Sequence, residues 1–278
     1  MPIEVNHLSY TYDAGMNHAV PALRDISFRI EDGEFVGIMG HTGCGKSTLI
    51  QLIAALLRPT SGQILLDGND LWDKKTDRYR LRSAIGIVFQ QPEFQLFETT
   101  VEKDVAFSLK HSGLDRDAIR ERVRDALTMM GFDYEAIRGE SPLALSGGEK
   151  RRVAIAGVLA AKPRHLIFDE PIAGLDPRGR EDFLARIRAL HRSGITVLMV
   201  SHNADALQEN AERILVLENG HLVMDAPPAA VAAAYPACEG DIHRIARLLC
   251  ERNFLPLADF TSQTALADAI AAAQKEGR

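Results

Sequence analysis

A glycine-rich stretch near residue 40 has the residue types and spacing of a loop that binds phosphate. It fits the pattern G-x-x-x-x-G-K-[ST], and its members are Gly40, His41, Thr42, Gly43, Cys44, Gly45, Lys46 and Ser47. Glycines let backbone N–H groups close around phosphate oxygens, and the N-terminus of a following helix adds a positive dipole end. The Lys46 ammonium supplies charge to the terminal phosphates, and the Ser47 hydroxyl is a possible ligand for Mg²⁺. The pattern predicts a nucleoside triphosphate site, with a chance glycine-rich turn as the alternative.

Two adjacent acids end the apolar run HLIFDE at residues 165–170. Ligands of parallel α/β sheets bind at the carboxyl ends of the strands, where this run places Asp169 and Glu170. We expect Asp169 to hold Mg²⁺. Because side chains alternate along a strand, we expect Glu170 to point elsewhere and to orient or deprotonate an attacking water. The alternative for this pair is a simple capping role.

A histidine and a glutamine also follow apolar runs. His202 comes after TVLMVS, and an imidazole there is placed to hydrogen-bond a γ-phosphate and the water that attacks it. A partly buried structural histidine is the alternative. Gln90 follows residues 84–89 and offers an amide oxygen to Mg²⁺ or to a water; the adjacent Gln91 is an open alternative. The predicted catalytic residues are Lys46, Glu170 and His202, and the predicted metal ligands are Ser47, Gln90 and Asp169.

Hydrophobic spacing indicates the elements that must position these residues. Short apolar or alternating runs predict strands at 3–8, 26–30, 35–39, 64–66, 84–89, 165–169 and 196–201. Helical spacing predicts helices at 47–57, within 101–130, after Ser146 to 159, at 176–190 and at 203–209. Residues 213–225 are predicted to form a hairpin that turns at Asn219-Gly220, and the alanine-rich segment from 226 onward has a helical pattern. The strand–helix alternation favours a parallel core sheet.

Composition excludes several classes of protein. A length of 278 residues allows one large domain with an appendage, or two small ones. The net charge of −6 argues against a protein that binds nucleic acid. Three cysteines without a C-x-x-C pair argue against a disulfide scaffold, and Cys44 is interpreted as an inert filler of its loop. There is no secretory pattern at the start and no apolar run of about 20 residues, so we expect a cytoplasmic chain that does not span a membrane.

Further motifs resemble those of ATP-binding-cassette (ABC) ATPases. Leu145-Ser146-Gly147-Gly148-Glu149 is similar to the family's signature motif, although many relatives have glutamine in place of Glu149. The order of the motifs is also the family's order: glycine loop, Gln90, signature, acidic pair, Asp176 and His202. This resemblance covers residues 1 to about 225.

The resemblance implies an active site shared between two cassettes that pair head to tail around two ATP molecules. The ATP-binding residues are then Tyr12, Gln90 and the loop from Gly40 to Thr48. Tyr12 is expected to stack on adenine, with Tyr10 as the alternative, and Asp176 to link the two sites. The partner's ATP is expected to meet the signature residues Ser146, Gly147, Gly148 and Glu149. A plain helix N-cap is the alternative for Ser146.

A narrower resemblance is to the ATPase subunits of energy-coupling-factor (ECF) transporters, and to the second of their two paralogous types. It rests on residues 39–48, 86–107, 146–160 and 173–180. It implies import of vitamins or transition-metal ions with three partners: a second ATPase (a paralogue or a second copy), a transmembrane coupling subunit and a substrate-binding membrane subunit. The docking segment at residues 92–97, with one acid among apolar residues, suits a helix that carries an arginine, although an ordinary loop is the alternative. The predicted docking residues are Glu93, Gln95, Leu96 and Phe97.

The expected fold is therefore an α/β P-loop NTPase of ABC type. It has a mixed core sheet, an N-terminal antiparallel β portion, a helical signature subdomain at about 92–160 and a small helical C-terminal extension. The expected domains are a nucleotide-binding domain at 1–225 and the extension at 226–278. The chain is expected to bind ATP and Mg²⁺ at the cytoplasmic face of the cell membrane. Rival functions are an ordinary importer ATPase that works with a binding protein, and a non-transport ABC ATPase.

Overall fold

A four-stranded antiparallel sheet forms the N-terminal part of the protein, seen in a computed structural model that describes residues 1–16, 18–74, 76–235, 240–252, 254–255 and 263–275. Its strands are β1 (Ile3–Tyr12), β2 (Val20–Ile30), β4 (Ser61–Leu66) and β5 (Asn69–Asp70), in the order β2-β1-β4-β5. The two long strands β1 and β2 extend further than the sequence pattern predicts, because the pairing continues through several register shifts as far as Tyr12 and Val20.

A six-stranded mixed sheet forms the centre of the molecule, in the order β10-β9-β3-β8-β7-β6. Its strands are β3 (Phe35–Met39), β6 (Ile85–Val88), β7 (His165–Asp169), β8 (Thr196–Val200), β9 (Arg213–Glu218) and β10 (His221–Ala226). All neighbours pair in parallel except β9 and β10, which form the predicted hairpin. The predicted mixed core sheet and N-terminal antiparallel portion are thus confirmed. The parallel strands end at one edge of the sheet, which is where ligands bind in such folds.

Helices cover this sheet and extend beyond it. They are α1 (Lys46–Ile53), α2 (Arg78–Ser83), α3 (Val101–Ala106), α4 (Arg116–Met129), α5 (Tyr134–Ile137), α6 (Gly147–Leu159), α7 (Pro177–Arg192), α8 (Ala204–Asn210), α9 (Pro228–Ala234), α10 (Asp241–Glu251) and α11 (Gln263–Lys275). Short 3-10 helices lie at Pro92–Gln95, Phe107–Leu109 and Pro142–Ala144. Within the described residues, no helix combines the length and the apolar character that crossing a membrane requires.

Two helices begin or end where local chemistry requires it. Helix α1 ends at Ile53 rather than at residue 57, because Ala55 takes a positive φ of 53°. The amides of Leu56 and Leu57 then donate to the Gln51 carbonyl and close the helix. The helical region 101–130 is divided at Gly113, which has φ 73°. The second part restarts at Asp115, whose carboxylate accepts a hydrogen bond from the Ala118 amide at 2.8 Å.

Apolar side chains pack on both faces of the core sheet. Along β3, Phe35 and Met39 enter one hydrophobic cluster, while Val36 and Ile38 enter the other. This division follows from the two-residue period of a strand, and it explains why β3 is apolar throughout. The edge at which the parallel strands end is therefore supported by packed side chains on both faces of the sheet.

Part of the predicted C-terminal extension packs on the rest of the chain. Val231 on α9 is fully buried, and the amide of Asp241 donates to the Asp205 carboxylate on α8 at 3.1 Å. Beyond them, α10 and α11 enclose a small apolar cluster. The helical pattern predicted for 236–239, 253, 256–262 and 276–278, including Cys238, falls outside the described residues.

His165 makes the stability of the fold depend on pH. The side chain is fully buried at the start of β7, and this burial lowers its pKa to about 4, from an ordinary value of 6.5. The unfolded chain therefore binds the proton more tightly, and the free energy of unfolding falls as the pH drops from about 6.5 towards 4. At pH 5 the expected loss is about 2 kcal/mol. Denaturant unfolding at pH 7 and pH 5 measures it. In the His165→Gln variant the difference should shrink by this amount, and an unchanged difference would contradict the assignment.

Candidate nucleotide-binding site

The glycine-rich loop joins the end of β3 to the start of α1, in the context that the sequence pattern predicts. Gly40 has φ 147° and Gly45 has φ 107°, and both are also sterically confined. A Cβ on Gly40 would lie 2.3 Å from the Leu217 carbonyl oxygen, and one on Gly45 would lie 2.7 Å from the Ala22 carbonyl oxygen. The Gly220 amide donates to the Cys44 carbonyl at 3.1 Å. The β9–β10 hairpin and β2 thus hold the loop between them.

Lys46 places its ammonium group inside this loop. Nζ donates to the carbonyl oxygens of Gly40 at 2.7 Å and His41 at 3.0 Å, and it lies 3.9 Å from Sγ of Cys44. The residue is only 6% exposed, so a positive charge is fixed under the loop in a poorly solvated place. Such a charge interacts more strongly with an anion than one in bulk water does.

Oxygen donors face the loop from the edge of the sheet. The Ser47 hydroxyl, on the first turn of α1, lines the cleft together with the carboxylate of Asp169, at the end of β7. Burial raises the pKa of Asp169, and the neighbouring Ser47 hydroxyl and the Lys46 charge oppose this effect. Gln90, just after β6, lines the same cleft. Hydroxyl, carboxylate and amide oxygens are the donor set that Mg²⁺ prefers, so these residues fit such an ion.

Glu170 and His202 come together where β7 and β8 end. Glu170 takes a left-handed backbone conformation (φ 50°), and its amide donates to the Val200 carbonyl at 3.0 Å. Oε2 accepts from the His202 amide at 3.2 Å. Nε2 of His202 lies 3.3 Å from Oε1, but the geometry does not make a hydrogen bond, and buried Oε1 has no partner among the described residues. Burial raises the pKa of Glu170, which brings this carboxyl closer to the range of a general base.

Tyr12, rather than Tyr10, reaches the cleft. Its hydroxyl is 3.0 Å from Oγ1 of Thr48, and its ring is 39% exposed. Tyr10 packs edge-on against the Tyr12 ring, with 4.9 Å between centroids, and joins the neighbouring hydrophobic cluster. Similarly, Gln90 lines the cleft, whereas Gln91 has φ 58° and begins the 3-10 helix at Pro92.

These side chains surround one cleft of about 430 Å³. The predicted site residues that line it are Tyr12, Thr42, Gly43, Gly45, Lys46, Ser47, Thr48, Gln90, Asp169, Glu170 and His202. The three remaining loop residues are not part of this lining: Gly40 and His41 turn carbonyl groups to Lys46, and Cys44 is buried in the core. Residues 20–22 of β2 also line the cleft, and no motif in the sequence indicates them.

The signature residues lie at a different place. Ser146, Gly148 and Glu149 border a pocket that shares no lining residue with the cleft. Ser146 caps α6 in a capping box: its Oγ accepts from the Glu149 amide at 3.4 Å, and its own amide donates to Glu149 Oε2 at 2.9 Å. The spacing S-x-x-E is a signal for this box that the sequence analysis did not use. Gly147 starts the helix, and the nearby Asp176 caps α7 through the Gly179 amide at 2.7 Å.

The predicted docking segment lies beside a surface groove of about 710 Å³. Gln95, Leu96 and Phe97 line this docking groove together with Phe107 and residues of β6 and α6. The Phe94 and Phe97 side chains are 80% and 61% exposed, which is unusual for phenylalanine. Glu93 is not among the residues that line the groove, and its carboxylate pairs with the buried Arg151 of α6. No sequence motif predicts this role for Arg151.

Comparison with known proteins agrees with this geometry. The sequence profile of the ABC transporter family matches residues 23–173. The energy-coupling factor transporter ATP-binding protein EcfA2 of Clostridium perfringens is 48% identical over 232 residues, which are 83% of this chain and 81% of that protein. Its counterpart in Symbiobacterium thermophilum is 49% identical, over 82% of this chain and 79% of that protein.

Solved structures show the same relationship. The protein cbiO1 of Clostridium perfringens, described as part of the ABC transporter complex cbiONQ, superposes with a TM-score of 0.76 at 35% identity, over 90% of this chain and 94% of that one. A dimeric ATP-binding cassette in a post-hydrolysis state with ADP and Pi superposes with a TM-score of 0.70 at 30% identity, over 81% of this chain and 98% of that one. The chain therefore belongs to the ABC transporter family of ATP-binding, ATP-hydrolysing proteins, and within it to the energy-coupling factor ATP-binding proteins.

Proposed function

We propose that this chain is the ATPase subunit of an ECF-type importer of vitamins or transition-metal ions and that it works as a head-to-tail dimer. The observation that carries the proposal is the separation of two half-sites in one chain. The cleft holds Lys46, Asp169 and Glu170, while the capped helix N-terminus at Ser146 borders a different pocket. A second cassette is needed to bring such an N-terminus to the phosphates in the cleft. The partner is a second copy or a paralogue.

The residues of the cleft have distinct roles in this proposal. The loop amides and Lys46 bind the phosphates, and Tyr12 stacks on the adenine. Ser47, Gln90 and Asp169 hold Mg²⁺, which neutralises charge on the phosphate oxygens when it is bound. Glu170 accepts the proton of the attacking water, whose oxygen bonds to the γ-phosphorus as the bond to ADP breaks. His202 supports Glu170 and the γ-phosphate.

Coupling between ATP and transport follows from differential affinity. ATP that contacts the loop of one subunit and the residues Ser146, Gly147, Gly148 and Glu149 of the other favours the closed pair. Hydrolysis removes the phosphate that joins the two faces, and the pair opens. Asp176 lies where α7 begins and links the two sites. The cassette occupies residues 1–225 with its helical subdomain at about 92–160, and the extension at 226–278 helps to hold the pair together.

The docking groove receives the transmembrane coupling subunit, which places the chain at the cytoplasmic face of the membrane as a peripheral subunit. The exposed apolar rings and the lining Gln95, Leu96 and Phe97 support this role. A third subunit, embedded in the membrane, carries the substrate site. The chain's net charge of −6 gives no support for a nucleic-acid partner.

Replacing Phe97 with aspartate tests the docking role. The ring is exposed and packs edge-on against Phe107, with 4.8 Å between centroids, so its loss should spare the fold while placing a charge in an apolar groove. We expect co-purification of the coupling subunit with the tagged chain to fall at least tenfold, because burying an unpaired carboxylate costs more than about 1.4 kcal/mol. ATP binding should not change.

Met129→Asp is the matched control, since Met129 is 54% exposed and does not line the groove. Subunits are identified by mass spectrometry after mild detergent extraction. The proposal fails if Phe97→Asp retains the coupling subunit as well as the control does. It also fails if the chain co-purifies with no polytopic membrane protein.

A further inference from the structure

One buried arginine joins two segments that the proposed function treats separately. Arg151 lies in the first half of α6 and is 7% exposed. Its guanidinium makes four hydrogen bonds, two to the Glu93 carboxylate and two to backbone carbonyl groups. These bonds use four of the five N–H groups of the side chain.

The partners of Arg151 belong to two different parts of the protein, the docking segment and the turn after Glu170. Glu93 lies in the docking segment, and its Oε2 and Oε1 are 3.2 and 3.3 Å from Nε and Nη2 of Arg151. The carbonyl groups are those of Pro171 and Ala173, at 3.1 and 3.3 Å from Nη1. They belong to the turn that immediately follows Glu170.

The chemistry of the guanidinium makes the two segments move together. The N–H donors of the guanidinium lie in one plane with fixed directions. If Glu93 moves and the guanidinium rotates to keep its bonds with the carboxylate, Nη1 also shifts relative to the carbonyl groups of the turn. The charge is also buried, so removing Glu93 would leave it without its carboxylate and force it to find other partners. The position of Glu93 therefore affects the geometry next to Glu170.

We propose that Arg151 is a positioning residue that links the docking segment to the turn after Glu170. A cationic side chain of a partner that approaches Glu93 competes with Arg151 for the carboxylate and so shifts the turn that places Glu170. This last step rests on the proposed docking role. The link between Glu93, Arg151 and Glu170 lies within the chain and can be tested without a membrane partner.

The test is a double-mutant cycle in steady-state ATP hydrolysis by the purified ATPase dimer, without membrane subunits. We expect Arg151→Gln to lower kcat about tenfold and Glu93→Gln to lower it several-fold, because small displacements of a catalytic group are costly. The KM of Glu93→Gln for ATP should stay within about twofold, since Glu93 lines neither the nucleotide cleft nor the pocket beside Ser146. The double variant should be no slower than Arg151→Gln alone, because both changes break one link.

Two further variants distinguish positioning from simple stabilisation. Arg124→Gln breaks another arginine–glutamate pair of the helical region, with Glu135 at 3.4 Å, and should leave kcat unchanged. Arg151→Lys keeps the charge and should melt near the wild type, yet lower kcat because an ammonium lacks the planar fork. The inference is overturned if Glu93→Gln keeps the wild-type kcat, if the two effects multiply, or if Arg151→Lys restores full activity.

Docking is tested separately by co-purification of the coupling subunit with Glu93→Gln. If that variant keeps its membrane partner but still has a lower kcat, the docking role of Glu93 fails and the internal link stands. If it loses the partner and keeps the wild-type kcat, the docking role stands and the link fails.

Discussion

Replacing Glu170 with glutamine should lower the turnover of ATP by about two to three orders of magnitude while ATP remains bound. The loss is that of a general base, whose contribution is typically 10²–10⁴-fold. The glutamine side chain is nearly isosteric with the glutamate carboxylate. Its amide oxygen can accept the hydrogen bond that the backbone N–H of His202 donates to Oε2 of Glu170 in the wild type. The phosphate loop is not altered. The variant should therefore accumulate ATP-bound, closed pairs.

Phosphate release measures the turnover, and sedimentation velocity with and without ATP measures the closed pair. Glu121→Gln is a suitable control, because it removes one exposed carboxylate from α4, outside the cleft. Wild-type turnover in Glu170→Gln would remove Glu170 from the catalytic role. Slow turnover without an ATP-dependent dimer would instead contradict the shared site.

Replacing Lys46 with alanine should weaken nucleotide binding by about 100-fold or more. Hydrogen bonds to a charged group contribute about 1.5–3 kcal/mol each, and this ammonium is placed to reach the terminal phosphates from a buried position. The change also removes the donor to the carbonyl groups of Gly40 and His41, so part of the loss comes from a looser loop.

Lys46→Met separates these contributions, because it keeps the apolar stem and lacks the charge. Titration calorimetry with ATP gives the affinity, and thermal unfolding without nucleotide reports on the loop. Lys150→Ala, on the first turn of α6, removes a lysine from outside the cleft. If Lys46→Met binds ATP as tightly as the wild type, the charge of Lys46 does not contribute to binding.

Features with a local cause could be predicted from the sequence. The strand β3, the loop and α1 follow one another over fewer than 20 residues, and each has a residue pattern of its own. The helix start at Ser146 and the hairpin turn at Asn219-Gly220 likewise depend on neighbouring residues. Strand ends at Asp169 and Val200 placed the acidic pair and His202 at the same edge because parallel strands end together.

Other features depend on contacts that no local pattern encodes. Glu93 and Arg151 are 58 positions apart, and neither segment carries a local pattern that indicates the contact between them. Simple alternation puts Tyr10 and Tyr12 on the same side of β1, so only the register shifts beside Tyr10 and the position of Thr48 decide which ring reaches the cleft. Alternation along the strand predicts only that Glu170 points differently from Asp169, whereas the contact of its carboxylate with the His202 amide comes with its left-handed backbone.

The hairpin that holds the phosphate loop has a consequence for the order of events during synthesis. β3 pairs with β8 on one side and with β9 on the other, and both strands are translated more than 150 residues later. Leu217, whose carbonyl confines the loop, is part of β9, and Gly220, whose amide donates to the loop, follows directly after it. At an elongation rate of about 5–20 residues per second, these neighbours are made on the order of ten seconds or more after the loop. A growing chain that already carries the complete glycine loop therefore cannot yet hold nucleotide as the finished protein does, because β3 lacks one of its two neighbouring strands until β9 has been made.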